Sequence, residues 1–217
     1  MPKLDLTQDL TGLQKRMDSL IRKQIPLRVA IALTDVAKDV IAAEHILLKE
    51  KLNQPTPFTT GKKTFRRINA EKNDWPNLSS AVLISPIQAQ YLHWQIAGGT
   101  RPPKGRAIPI PGPNMKLNKF GNLPRNKIAT LMGNKKTFAG KPRGAKHPTE
   151  GGIYQRTGGK RNPKYKMLIA WKPRANYSPR LPFYKVGKAI VAKRFGIRLN
   201  QQLRRAVEKA RGEGAGN

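Results

Sequence analysis

Apolar positions recur every three or four residues at Leu10, Leu13, Met17, Leu20 and Ile21, which predicts a short first helix as an extension over residues 1–24. Pro26 is expected to end it. The period then resumes, with Ile25, Val29, Leu33, Val36, Val40, Ala43 and Leu47 on one face and Arg28, Asp35, Lys38, Asp39 and Lys49 elsewhere. That is the clearest helix in the chain. Pro26 suits its first turn, where a missing N–H costs nothing, and the QPTP run at 54–57 stops it.

Beyond Pro57 the pattern changes to short extended pieces between turn residues. FTTGKKTFRRIN reads as a strand or a hairpin, and SSAVLISP at 79–86 as a strand. Residues 87–97 return to a helical period through Ile87, Tyr91 and Trp94, and Gly98 with Gly99 closes that helix. Residues 100–150 are dominated by Pro, Gly, Lys and Arg, apart from the piece AIPIP and a short helix expected over 124–132. That is too long for a passive connection. The segment is expected to be either partly disordered alone or an arm that packs on a neighbouring subunit, and Phe120, Ile128, Leu131, Met132 and Phe138, spaced as anchors, favour the arm. GIYQR at 152–156 and YKMLIAW at 165–171 read as a hairpin about the turn residues TGGKRNP, with Met167, Ile169 and Trp171 alternating onto one face. The last helix starts at Pro182 and runs to about residue 210, its apolar stripe made of Phe183, Val186, Ile190, Phe195, Leu199, Leu203 and Ala206. Lys185, Lys188, Lys193, Arg194, Arg198, Arg204 and Arg205 fill its opposite face, and a flexible tail is expected over 211–217.

Charge changes this picture more than composition does. The net charge of the 217 residues is +31, with 43 Lys and Arg against 12 Asp and Glu. Residues 1–74 hold 14 basic and 9 acidic side chains, whereas residues 75–207 hold 27 and 1. Between Asp74 and Glu208 the one acid is Glu150, so most of those cations lack a carboxylate within the chain. Counterions, phosphates or an acidic partner protein could relieve the repulsion, and a phosphate backbone does so with release of its condensed counterions.

Catalytic chemistry has little foothold. Cysteine is absent, which excludes disulfides, thiolate metal sites and cysteine nucleophiles. His45, His93 and His147 are isolated from one another, and Glu44 beside His45 points about a quarter turn away on a helix. A nuclease needs several carboxylates to hold divalent metal, and the basic region has one. The pairs Gly98 and Gly99, Gly151 and Gly152, and Gly158 and Gly159 lack the context of a phosphate loop. Ser19, Ser79, Ser80, Ser85 and Ser178 lack a GxSxG elbow. No cofactor is implied. The start MPKLDLTQDL reads as neither a secretory signal nor a presequence, and no apolar run reaches bilayer length, so no membrane partner is expected. Zinc-finger, RRM and KH signatures are missing too, and aromatics make up 6%, which leaves backbone phosphate as the attraction.

The order of segments adds a resemblance. A long helix, then PTPFTTGK, then QAQYLHWQIAGGTRPPKGRAIPIP, then GIYQRTGGK and finally ANYSPRLPFYKVGKAIVAKRF is similar to the prophage minor tail protein Z family. More distantly it resembles the tail-completion proteins of long-tailed bacteriophages. The stretches at 91–111 and 178–195 carry it, with Tyr91, Gly98, Gly99, Thr100, Pro182 and Phe183 as the motif positions.

The resemblance implies a single α+β domain over 1–217. Long N-terminal and C-terminal amphipathic helices would pack on a small twisted, mostly antiparallel sheet, with 100–150 as a basic loop or arm. It also implies a non-enzymatic virion subunit, assembled in the host cytoplasm and placed at the head-proximal end of the tail. There a homo-oligomer, a hexamer by the resemblance, would complete the tail and help join it to the head. Its partners would be the tail terminator or tail tube, the head–tail connector, and double-stranded DNA in the lumen. Loops reach a lumen most readily, so Lys104, Arg106, Arg125, Lys127, Lys135, Lys136, Lys141, Arg143, Lys160 and Arg161 are the DNA-facing candidates. Two other readings stand beside this one: a free sequence-independent nucleic-acid-binding protein, and a phage nuclease using Asp74 or Glu150.

Overall fold

The computed structural model of the chain describes residues 17–18, 20–142, 151–159 and 162–212. In chain order the helices are α1 (Ile25–Lys51), α2 (Pro57–Thr60), α3 (Pro86–Ala97), α4 (Lys127–Met132) and α5 (Phe183–Gly212). The strands are β1 (Phe65–Ile68), β2 (Ala81–Ile84), β3 (Gly99–Arg101), β4 (Ile108–Pro111), β5 (Thr137–Gly140), β6 (Gly152–Arg156), β7 (Tyr165–Lys172) and β8 (Ala175–Tyr177). The fold is α+β, with a long helix toward each end of the chain. Its strands, expected as one sheet, fall into three antiparallel sheets ordered β1-β2, β3-β8 and β4-β7-β6-β5. Leu10 and Leu13 of the expected first helix lie outside the described residues, as do residues 213–217 of the expected tail.

Pro26 does not separate two helices. A π-helical turn, Leu20–Gln24, runs directly into α1. Proline cannot donate to the carbonyl four residues back, and the wider turn just before it accommodates the missing bond.

The chain divides into two compact units. The first comprises Met1–Lys51, Pro57–Gln90 and Leu181–Asn217. Here α1 and α5 run antiparallel, with Arg28 donating to Gln202 at 3.5 Å near one end and Arg198 clamping Asp39 further along. Val36, Val40 and Leu47 of the expected stripe are buried, and so are Ala30, Ala32, Ala37 and Leu48. The apolar face is broader than one stripe because β1 and β2 pack on α1 as well as α5. A buried turn leads from α2 to β1, closed by the Thr64 hydroxyl donating to the Thr59 carbonyl at 2.7 Å. Phe65 then sits between His45, edge-on at 5.0 Å, and Phe183, stacked at 6.1 Å.

The second unit comprises Leu52–Thr56 and Tyr91–Arg180. Its core is Leu131, Ile153, Leu168 and Ile169, ringed by Met115, Leu123, Ile128 and Trp171. The β6–β7 hairpin forms as expected, but its alternation is broken. Ile153 faces Ile169 while Tyr154 faces Met167, which leaves Leu168 as an extra residue in β7. Such a bulge shifts the phase of the strand, so Met167 falls on the face opposite Ile169, and Leu168 joins Ile169 in the core.

Within residues 100–150, expected as a basic loop or arm, the described part supplies β4 and β5 as the two edge strands of this sheet and α4 as a cover for one face. A hairpin alone leaves both its strands with an unpaired side and its apolar face uncovered; this segment pairs the free sides of β6 and β7 and covers that face within its own chain. Ile128 and Leu131 pack into the core, and Phe138 stacks on Tyr154 at 5.9 Å.

Candidate nucleic-acid interface

Charge is unequal between the units, and the second carries almost no acid. The second unit holds 20 Lys and Arg against Glu150 alone, for a net +19, whereas the first holds 23 against 11, for +12.

Strand register places those cations. At one end of the four-stranded sheet β5 begins, β6 ends and β7 begins. The Arg156 N–H donates to the Lys136 carbonyl at 2.8 Å, the Thr157 N–H donates to the Lys164 carbonyl at 2.9 Å, and Gln155 faces Lys166. Five exposed cations from three segments therefore share this end: Lys135, Lys136, Arg156, Lys164 and Lys166. The α4–β5 turn is fixed by Asn134, whose Oδ1 accepts the Lys136 N–H at 2.9 Å, and by the Thr137 hydroxyl donating to the Leu131 carbonyl. The Arg156 guanidinium lies over the Phe138 ring at 4.9 Å, and Phe138 meets Tyr165 edge-on at 5.6 Å. A stacked guanidinium is held in orientation while its N–H groups remain around the edge of its plane.

Of the candidates expected from sequence, Lys135 and Lys136 belong to this cluster. Arg125 and Lys127 stand at the opposite end of α4, Arg125 exposed and Lys127 half-buried. Lys141 follows the far end of β5. Lys104 and Arg106 lie on the connection into β4, whose first residue pairs with Lys172, so they too belong to the other end of the sheet. Arg143, Lys160 and Arg161 lie outside the described residues. Arg156, Lys164 and Lys166 were missed, although the predicted hairpin already put them on either side of its turn. The missing signal was the pairing of β5, which a Pro/Gly-rich segment conceals.

The motif residues are structural. Gly98 and Gly99 take φ of 70° and 108°, and the Gly98 N–H donates to the Trp94 carbonyl at 3.1 Å to end α3. Gly99 and Thr100 then pair with Tyr177 and Asn176, Thr100 donating to the Asn176 Oδ1 at 2.9 Å. Trp94 stacks on Tyr177 at 6.3 Å. Tyr91 lies half-buried on α3, in the same unit as this corner. In the first unit Pro182 presents its carbonyl to the Val186 N–H at 2.9 Å, and Phe183 docks on Phe65. Arg198, expected on the open basic face of α5, is half-buried in a two-point ion pair with Asp39 at 2.8 and 2.9 Å. That hydrogen bond holds the Asp39 carboxyl below its ordinary value.

Two further features belong to the first unit. Glu44 is 1% exposed and its Oε1 lacks a hydrogen-bond partner among the described residues, so burial pushes its carboxyl up to about 7. It stands four residues from both Val40 and Leu48 on the buried face, a spacing legible in the sequence. Burial lowers the neighbouring His45 imidazole, with Lys49 adding to the effect. A groove of about 320 Å³ runs between α1, β2 and α5, lined by Leu33, Val40, Val82, Phe183, Val191 and Phe195 among others. Tyr184 on its rim is 71% exposed.

Among the described residues no three His, Asp or Glu gather as metal ligands, and no helix is long and apolar enough to cross a membrane. Compared with known proteins, the chain matches no family model, no curated relative and no solved structure.

Proposed function

We propose that the chain is a structural virion subunit of the minor tail protein Z or tail-completion kind. It acts without catalysis at the head-proximal end of a long phage tail. Copies of it, six by the resemblance, form a ring that meets the tail terminator or tail tube on one side and the head–tail connector on the other. Double-stranded DNA occupies the passage. The observation that carries this reading is a second unit of net +19 with a single acid, a surface whose self-repulsion a DNA backbone relieves. Phosphate contacts position a protein on DNA without reading sequence, which is what a passage wall requires. Further support comes from the α+β architecture and from the motif residues Gly98, Gly99 and Thr100, which build one corner of the second unit. The apolar groove and exposed Tyr184 of the first unit supply surface for contact between copies.

Negative-stain electron microscopy of the purified protein, with its mass measured by light scattering, tests the reading. Closed rings with the mass of several chains are expected, and a monomer at every concentration would contradict it. The same charge serves a second reading, a free sequence-independent nucleic-acid-binding protein. That reading predicts a monomer on naked DNA and no ring.

A further inference from the structure

We infer that the sheet end formed by Lys135, Lys136, Arg156, Lys164 and Lys166 is the surface of this chain that grips the phosphodiester backbone of double-stranded DNA. The inference deepens the proposed function, resting on DNA as the partner named there, and narrows a diffuse +31 to one place.

Three arguments converge on it. The five cations come from three segments that no sequence motif joins, yet two backbone hydrogen bonds and one ladder position fix them on adjacent strands. Neighbouring strands lie about 4.8 Å apart, so three strand ends span about 10 Å, the length of helix axis over which one DNA strand presents about three phosphates.

The cations also fan around the end rather than lying flat. Register puts Lys166 with Gln155 on one face of the sheet and Arg156 with Tyr165 on the other. Arg156 is stacked on Phe138 and is the pre-oriented member. The four lysines are flexible point charges suited to a backbone of any sequence.

Chemistry favours DNA over an acidic protein. Lysine is depleted where proteins meet and aromatic anchors are enriched there. Here lysine dominates, and Met132, three residues before Lys135, is the large exposed apolar residue closest to the patch in sequence. At the opposite end of the sheet Lys172 is half-buried, and both Lys104 and Lys172 are engaged within the chain.

The test uses the purified full chain and a labelled DNA duplex of mixed sequence, with affinity measured by fluorescence anisotropy as salt rises from about 50 to about 200 mM. One variant carries Lys135→Gln, Lys136→Gln, Arg156→Gln, Lys164→Gln and Lys166→Gln. Its control carries Lys185→Gln, Lys188→Gln, Lys193→Gln, Arg204→Gln and Arg205→Gln on exposed positions of α5. Both lower the net charge equally. The sheet-end variant is expected to lose about 3 from the slope of log affinity against log salt, at about 0.9 for each of the about three phosphates it spans, while the α5 control changes it by less than about 1. A four-fold lysine variant that keeps Arg156, and with it the Phe138 stack, is expected to lose about 2 to 3, which separates binding from any loss of folding.

Equal losses in the two five-fold variants would overturn the inference, because net charge alone would then explain binding. An unchanged slope in the sheet-end variant would overturn it too. So would polyglutamate binding as tightly as DNA through the same five residues, which would make the patch an acidic-protein site. None of these outcomes depends on a ring, so failure here leaves the proposed function standing, and absence of a ring leaves this site standing.

Discussion

Replacing Glu44 by Gln should make the protein more stable above neutral pH, and the size of the gain follows from the structure. The carboxyl is buried, its Oε1 has no hydrogen-bond partner among the described residues, and burial raises it from an ordinary 4.5 to about 7. A raised carboxyl contributes stability that is fully present below about 4.5 and is lost as pH rises through about 7, where the folded protein must hold a buried charge. At about 1.36 kcal/mol per unit, the difference amounts to about 3 kcal/mol at pH 8. Glutamine keeps the shape and cannot ionise, so the variant should match or slightly trail the parent at pH 4 to 5 and lead it increasingly up to pH 8. For a chain of this size that corresponds to roughly 6–12 °C in Tm.

His45 acts in the opposite direction. Its imidazole is lowered by burial, so its contribution is present above about 6.5 and is lost as pH falls below that. It is common to both proteins and cancels in their difference. Calorimetry or urea unfolding of the two proteins at several pH values between 4 and 8 measures that difference directly. A gap that stays constant with pH, or a variant less stable at pH 8, would refute the reasoning.

Three further outcomes are expected. Gly152→Ala should cost roughly 2–3 kcal/mol in urea unfolding, because a Cβ there runs into the Ile169 carbonyl oxygen across the β6–β7 ladder; a neutral result would mean the strands can separate freely. Asp39→Asn should cost about 1 kcal/mol or less at pH 7, since both partners are partly exposed. That loss should vanish as pH falls below the ordinary Asp range, where the lowered Asp39 carboxyl also protonates, and a loss that persists there would contradict the ion-pair account. Tyr184→Glu with Val191→Glu, at 71% and 44% exposure beside the groove, should leave Tm within about 3 °C and abolish higher-mass species in light scattering. Intact oligomers would remove the groove from the subunit contact.

Helices were the legible part of this fold. The α1 and α5 stripes are long enough for period alone to fix their faces, and Gly98 with Gly99 ended α3 where a left-handed stop was needed. Strand pairing was less so. Period two marks a strand but not its partner, which is why the β6–β7 hairpin is legible in the sequence while the edge strands β4 and β5, hidden among Pro and Gly, are not. The bulge at Leu168 was invisible for a related reason, since an extra residue shows only against the strand opposite. For the candidate site, charge excess was plain in the composition, but Arg156, Lys164 and Lys166 joined Lys135 and Lys136 only through that unseen pairing. Arg198 looked like one more surface cation because nothing local announces that Asp39, 159 residues earlier, will face it.

The most direct test of the account is cryo-electron microscopy of intact particles that contain this chain, resolved at the junction of head and tail. The account predicts a closed ring of copies at the head-proximal end, with Lys135, Lys136, Arg156, Lys164 and Lys166 turned toward the DNA in the lumen. A junction that lacks the chain, or a ring whose second unit faces away from the DNA, would contradict it.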